Sequence, residues 1–295
     1  MARTEQRDTV DEAGPSAGRR RLRSFRVPVL VLALLAVTAA ANGVDRLVSP
    51  VPPLALPVGL AVAVAGVACY HWLSRTVELR EDVPELAKEA RWARLGHGAL
   101  IGAGAFVSAM LLIAVFGGWS GLAWGSFGGF LATAGMMAGV AVIEEALFRG
   151  VVFRILEQRT GTVLALILSS VLFGAIHLVN ANATLWGTLG IALTGGVMLA
   201  AAYVATRSLW LPIGLHFAWN FTHAGIFGVV ISGSDTPPEG LVHTSLSGPS
   251  PLTGGAFGPE ASLIALLVCT VPTVLLLRRA VRAGRIHPLP RRTAA

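Results

Sequence analysis

Two carboxylates stand side by side in an apolar run, Ile143-Glu144-Glu145-Ala146-Leu147-Phe148-Arg149. Of the 16 Asp and Glu in the chain, this pair alone is expected deep inside a hydrophobic stretch. A charge near the centre of a bilayer costs about 2.5–3.5 kcal/mol on insertion scales, so such groups face a protein interior or a water-filled cavity and act there. Glu145 and Arg149 are four residues apart, neighbours on one helical face with the Glu on the favourable N-terminal side. Glu144 is turned about 100° away from its neighbour. The spacing predicts a division of labour. Arg149 neutralises Glu145 and pins the helix against its neighbours. Glu144 has no local cation and a dry setting that favours its neutral form, which suits a general base.

Two other apolar stretches carry the remaining polar groups of interest. One reads Phe173-Gly174-Ala175-Ile176-His177, the other His216-Phe217-Ala218-Trp219-Asn220. His216 and Asn220 lie one turn apart on one helical face, and His223 follows on roughly the same face. A His and an Asn together can donate hydrogen bonds to a developing oxyanion. His177 with Glu144 can hold and deprotonate a water. The same residues also allow a metal reading: Glu144, His177 and His216 offer one oxygen and two nitrogens to a divalent ion such as zinc, leaving an open position. The chain has no His-Glu-x-x-His, the best local signature of such a site. Glu145–Arg149 reads first as a structural pair, Phe173 as packing around the site, and His223 as a supporting residue. His71, His97, His243 and His287 fall at membrane edges, in a loop or in a tail and are assigned nothing.

These groups need elements that hold them at depth. The chain of 295 residues is 54% hydrophobic and only 13% charged, with a mean hydropathy of +0.68. Soluble domains are about 25% charged. Eight apolar stretches approach or exceed the roughly 20 residues that cross a bilayer as helix: 27–47, 53–73, 97–117, 127–153, 162–180, 184–206, 209–232 and 260–280. The expected fold is all-α, a polytopic transmembrane bundle of about eight helices. It divides into a disordered basic tail (1–26), two helices with a cytoplasmic connector (27–95), a core (96–235), and an outer loop, last helix and basic tail (236–295). Asp82-Val83-Pro84-Glu85 has the form of a helix start, so a short surface helix is expected in the connector. The Gly-, Pro- and Ser-rich segment 233–259 is expected to be flexible. Gly135-x-x-x-Gly139 permits close helix approach within the bundle.

The basic residues give the orientation. All 23 Lys and Arg except Arg46 and Arg149 fall in the tails or in alternate connectors, and the segments 118–126, 181–183 and 233–259 hold none. Both termini are therefore expected in the cytoplasm of a multi-pass cell-membrane protein. The net charge of +7 sits largely in the tails, where it meets anionic lipid and not nucleic acid. A competing expectation is a cleaved signal peptide ending near Thr38-Ala39-Ala40-Ala41. The long polar leader and the continuing apolar run argue for a retained helix, and either case keeps the later orientation. Helix rise places Glu144, His177 and His216 about 16, 22 and 10 Å from the inner ends of their helices. A shared site in the inner half to the middle of the membrane is expected, with water entering from the cytoplasm.

The ordered set Glu-Glu-x-x-x-Arg, Phe-x-x-x-His and His-x-x-x-Asn on three membrane helices resembles the CPBP family of intramembrane proteases. This is the type II CAAX prenyl protease group, with bacteriocin-processing and Abi-type immunity proteins. The resemblance covers about residues 95–235. It implies that Glu144 and His177 activate the attacking water, that His216 and Asn220 stabilise the oxyanion, and that Glu145 and Arg149 support the site, with a metal as a variable feature. The expected activity is endoproteolysis of a membrane-associated peptide or protein in the lipid bilayer. The alternatives are a non-catalytic immunity or scaffold protein, and a transporter with Glu144 as proton carrier. Repeated halves and matched broken helices, which a transporter would favour, are missing from the sequence.

Overall fold

The structure, a computed structural model, describes residues 25–48, 50–235 and 238–289. Of the tail expected to be disordered, 1–26, residues 1–24 lie outside them, and Arg26 already begins the first helix. Among the described residues, six helical segments are long and apolar enough to cross a membrane: Arg26–Val48, Pro52–Thr76, Arg91–Val115, Phe127–Val179, Leu185–Thr206 and Leu263–Arg282. We label Arg26–Val48 α1, Pro52–Thr76 α2 and Arg91–Val115 α3. The segment Phe127–Val179 is 53 residues long, too long for one span at 1.5 Å per residue. It comprises α4 (Phe127–Glu145), a π-helical stretch (Ala146–Phe153) and α5 (Arg154–Ala175), which is broken at Gly161 with φ 74° and ψ 170°. Only glycine adopts that backbone without strain. The chain doubles back there, because the rings of Phe148 and Phe173 on its two arms meet at 5.0 Å.

Leu185–Ile191 (α6) and Val197–Thr206 (α7) form one span joined by a π-turn at Ala192–Gly196. Trp210–Asn220 (α8) runs into a π-turn at Phe221–Ile226, ending short of the expected 232. Leu263–Arg282 is α9. The result is an all-α polytopic bundle.

Glycines bring the site helices together. A Cβ on Gly98 or Gly102 of α3 would lie 2.2 Å from the carbonyl oxygens of Leu211 and Leu215 on α8. Without side chains at those two positions the backbones approach closely enough for dispersion contacts, the main attraction between helices in lipid. Gly135 of α4 packs the same way against Ala55 of α2, inside the bundle as expected.

Three helix starts at one end of the bundle are capped by hydroxyls. Ser126, Thr184 and Ser262 accept hydrogen bonds from the amides of Gly129, Gly187 and Ala265 at 2.9–3.0 Å, satisfying donors that helices leave open. At this end the segment expected to be flexible, 233–259, forms defined elements from Val242 onward. Val242–Leu246 (β2) pairs antiparallel with Trp119–Trp124 (β1), and short helical turns follow at Ser250–Thr253, Gly255–Phe257 and Pro259–Ala261. Its glycines adopt positive φ at Gly248, Gly254, Gly255 and Gly258, so they serve tight turns there.

The opposite end is held by ion pairs. Glu78 bonds Arg154, and Glu157 bonds Arg207. The connector helix expected from Asp82 is absent: only a 3-10 turn, Pro84–Leu86, forms, and Asp82 caps nothing. The reason is Glu85, which is drawn into the bundle. Arg80 donates two bonds to its carboxylate at 2.6 and 2.7 Å, and the Tyr70 hydroxyl lies 2.5 Å from it. Burial alone pushes the Glu85 carboxyl up, but the Arg80 and Tyr70 bonds outweigh burial and hold it below the usual carboxylate range. Burial of carboxylates is not confined to the apolar run that holds Glu144 and Glu145. Glu78, Glu85, Glu157 and Glu260 are buried as well, each near a helix end.

Candidate active site

Glu145 is fully buried, and Arg149 is 1% exposed. One oxygen of Glu145, Oε1, accepts from Arg149 Nη1 at 2.8 Å and from His216 Nδ1 at 2.8 Å. Arg149 also donates through Nη2 to the carbonyls of Gly195 and Gly196, at 3.3 and 3.0 Å. Its guanidinium lies over the Phe173 ring, 4.6 Å from the centroid. A guanidinium buried at this depth needs that many partners. Two of them come from one π-turn, a winding that shifts the helical hydrogen-bond register. Arg149 itself lies in one π-stretch, and Gly195–Gly196 lie in another.

The two imidazoles are oriented by acceptors. A carboxylate can only accept, so the His216 Nδ1 carries the proton toward Glu145, and Nε2 faces the other way, 3.9 Å from Glu144 Oε2. His177 Nδ1 lies 2.9 Å from the carbonyl oxygen of Phe173, which fixes the same tautomer and leaves Nε2 available. Such outer contacts set ring direction and basicity.

Glu144, His177, His216 and Asn220 all line one cavity of about 320 Å³. Phe173 lines it too, between the rings of His177 and His216 at 5.4 and 5.9 Å. The Glu144 side chain is 19% exposed into this space, while Glu145 behind it is closed off. The hundred-degree turn between neighbours therefore separates a cavity carboxylate from a buried one.

His223 departs from the expected shared face. It is buried and stacks on Phe106 at 4.4 Å, with Nε2 donating to the Val230 carbonyl at 2.8 Å. The π-turn at Phe221–Ile226 winds more loosely than an α-helix, so the seven-residue spacing no longer returns it to the face of His216. Glu260 was missed by the sequence reading. It lines the cavity and accepts from the Ser232 amide; its position at a loop–helix junction gave no periodic signal. The cavity also has a polar end. The cavity continues to Asn180, Ser232, Ser234 and Glu260, which belong to the end away from the arginines.

The donors of Glu144, His177 and His216 are of types that bind zinc. Yet among the described residues no three His, Cys, Asp or Glu side chains gather closely enough to hold a metal ion. The arrangement as it stands does not fit a metal, and no step below runs through one.

Residues 125–222, about a third of the chain, match the family model described as type II CAAX prenyl endopeptidase Rce1-like. The matched stretch is narrower than residues 95–235 but holds Glu144, Glu145, Arg149, Phe173, His177, His216 and Asn220. The chain is also 30% identical over 79 residues to the Bacillus subtilis (strain 168) protein named "Putative membrane peptidase YdiL". That match covers 27% of this chain and 30% of the relative's length. No solved structure matches.

Proposed function

We propose that this protein is an intramembrane endopeptidase of the type II CAAX protease kind, hydrolysing a peptide bond in a membrane-associated peptide or protein. The observation that carries this reading is the cavity on which Glu144, His177, His216 and Asn220 converge, with the Nδ1 of each imidazole held by an oxygen acceptor. The family match and the similarity to a protein named as a membrane peptidase lend the reaction class.

In this reading a water sits between Glu144 and His177. Glu144 takes one of its protons, and His177 Nε2 accepts the other hydrogen and aims the oxygen at the scissile carbonyl. As the tetrahedral intermediate forms, charge builds on the carbonyl oxygen. Asn220 donates its amide N–H to that oxygen. His216 donates through Nε2 in its protonated form, which Glu145 supports from behind. Collapse breaks the C–N bond, and the proton held by Glu144 passes to the leaving amine. Arg149 touches no substrate; it holds Glu145, which holds His216.

The test is comparative proteomics of membrane peptides from cells carrying the native chain or Glu144→Ala. Peptides or uncleaved precursors should accumulate differently, and purified native protein should cut them in detergent. Glu144→Ala and His177→Ala should each abolish that cleavage. Full activity in both variants on an identified substrate would end the reading.

A further inference from the structure

The cavity has a closed end and a polar end, and the arginine pattern says which faces the cytoplasm. On α8 the lining begins at Leu215, about 8 Å above Trp210; on α5 it begins at Phe173, about 17 Å above Thr162, at 1.5 Å per residue. Beneath that floor the interior is filled. Val151, Phe153, Tyr203, Val204 and Leu209 are all buried, and the Phe153 and Tyr203 rings meet at 5.6 Å. Lower still, Glu78–Arg154 and Glu157–Arg207 tie the helix ends together. The tail crosses there too: the Arg285 side chain donates to the Ala205 carbonyl, and the His287 amide donates to Thr162 at 2.8 Å. A peptide entering from this side would have to break both layers.

The other end is different in kind. Asn180, Ser232 and Ser234 are half-buried and polar, and they edge the cavity beside Glu260. Asn180 Nδ2 donates to the Ser232 carbonyl at 2.6 Å, Asn182 Nδ2 donates to the Ser234 carbonyl at 2.8 Å, and the Glu260 carboxylate holds the Ser232 amide. These bonds tie the 230–234 segment between α5 and α9 as a formed rim. The segments at this end, 118–126, 181–183 and 233–259, hold no Lys or Arg, which marks the side away from the cytoplasm.

We propose that the site is entered from the extracytoplasmic face, and that its substrate class is a polypeptide segment presented at the outer surface of the membrane. The proposal rests on the protease reading for the word substrate, but its geometry stands without it. It excludes lipidated tails displayed in the cytoplasm, which would meet the filled, ion-paired end. Exported membrane proteins and secreted peptides held at the outer leaflet are in reach.

Cysteine accessibility tests this without any known substrate. In full-length protein with Cys69 and Cys269 replaced by Ser, single cysteines are placed at Ser234→Cys on the rim, Ser120→Cys on β1 and Arg159→Cys at the ion-paired end. A membrane-impermeant maleimide applied to intact cells stripped of outer layers should label Ser234→Cys and Ser120→Cys, and should label Arg159→Cys only after the membrane is opened. A small charged thiosulfonate added outside should also modify Asn220→Cys at the cavity wall. A bulky maleimide attached first at Ser234→Cys should slow that modification by tenfold or more. Labelling of Arg159→Cys alone in intact cells, or modification of Asn220→Cys only from the cytoplasmic side, would overturn the proposal. Neither result would touch the Glu144→Ala comparison, so failure of the access claim and failure of the protease reading are separable.

Discussion

Neighbouring glutamates with opposite duties make a sharp experiment: Glu144→Gln against Glu145→Gln. Both substitutions keep shape and remove charge. At position 145 the change strips the sole carboxylate hydrogen-bonded to a guanidinium that is 1% exposed. Arg149 keeps only the Gly195 and Gly196 carbonyls, and the partner of His216 Nδ1 is neutralised. Removing one member of a buried pair costs about 3–5 kcal/mol. At about 2–4 °C per kcal/mol, the scaling of larger domains, the melting midpoint should fall on the order of 10 °C. At position 144 the side chain opens into the cavity and has its nearest ionisable partner at 3.9 Å. That change should cost under about 1 kcal/mol. Activity should reverse the contrast, because loss of a general base removes roughly 10²–10⁴ of rate. The assay is thermal unfolding in one detergent, followed by tryptophan emission, beside cleavage of a substrate found by proteomics. A Glu144→Gln that melts early, with a Glu145→Gln as stable as the native chain, would refute the assignment of the two roles.

Three further outcomes are expected. Gly98→Val should force α3 off α8, since its Cβ would sit 2.2 Å from the Leu211 oxygen; a loss of about 1–3 kcal/mol should appear in the melt, while Gly104→Ala, with nothing within 4 Å, should melt like the native chain. The Glu85 carboxyl is held below its ordinary range, so its stabilisation is fully present at neutral pH and is lost as pH falls through the acidic carboxylate range, below about 4. The melting midpoint of Glu85→Gln should therefore depend less on pH between 5 and 3 than that of the native chain. Dialysis against a chelator should leave cleavage intact, because the described His and carboxylate side chains do not gather as a ligand set; activity lost to the chelator and restored by zinc would overturn the metal-free mechanism.

Much of the site was legible because the bilayer makes polar residues conspicuous. Glu144, His177, His216 and Asn220 stand out in apolar runs, and the i to i+4 relation of Glu145 and Arg149 follows from helix geometry alone. What failed to show were features that depend on packing between distant segments. The π-turns at Ala146–Phe153, Ala192–Gly196 and Phe221–Ile226 have no composition of their own. The last of them moved His223 from the cavity to the ring of Phe106. The connector was misjudged for a related reason. Asp82 to Glu85 has the local form of a capped helix start, but Arg80 and Tyr70 compete for Glu85 and win it with three short contacts. The filled end of the cavity was not legible either, because depth along a helix says how far a residue lies from each end, but not which end is packed shut.

The Glu145–Arg149–His216 cluster is better explained by precision than by stability. Apolar side chains of similar volume could fill its place with no loss of stability, since desolvation cancels most of what buried charges gain. An apolar replacement would leave the His216 ring free to turn. With a single Glu145 oxygen shared between Arg149 and His216 at 2.8 Å each, the ring has one favoured direction, and Nε2 is aimed at the cavity beside Glu144. Arg149 fixes the position of the Glu145 carboxylate, and that oxygen, as an acceptor, keeps the Nδ1 hydrogen of His216 directed toward it. The cluster thus converts an intramembrane ion pair into the orientation of a ring on a neighbouring helix. The adjacent glutamates are a minimal way to do so: one residue's rotation puts the orienting carboxylate behind the wall and the reacting one in front of it.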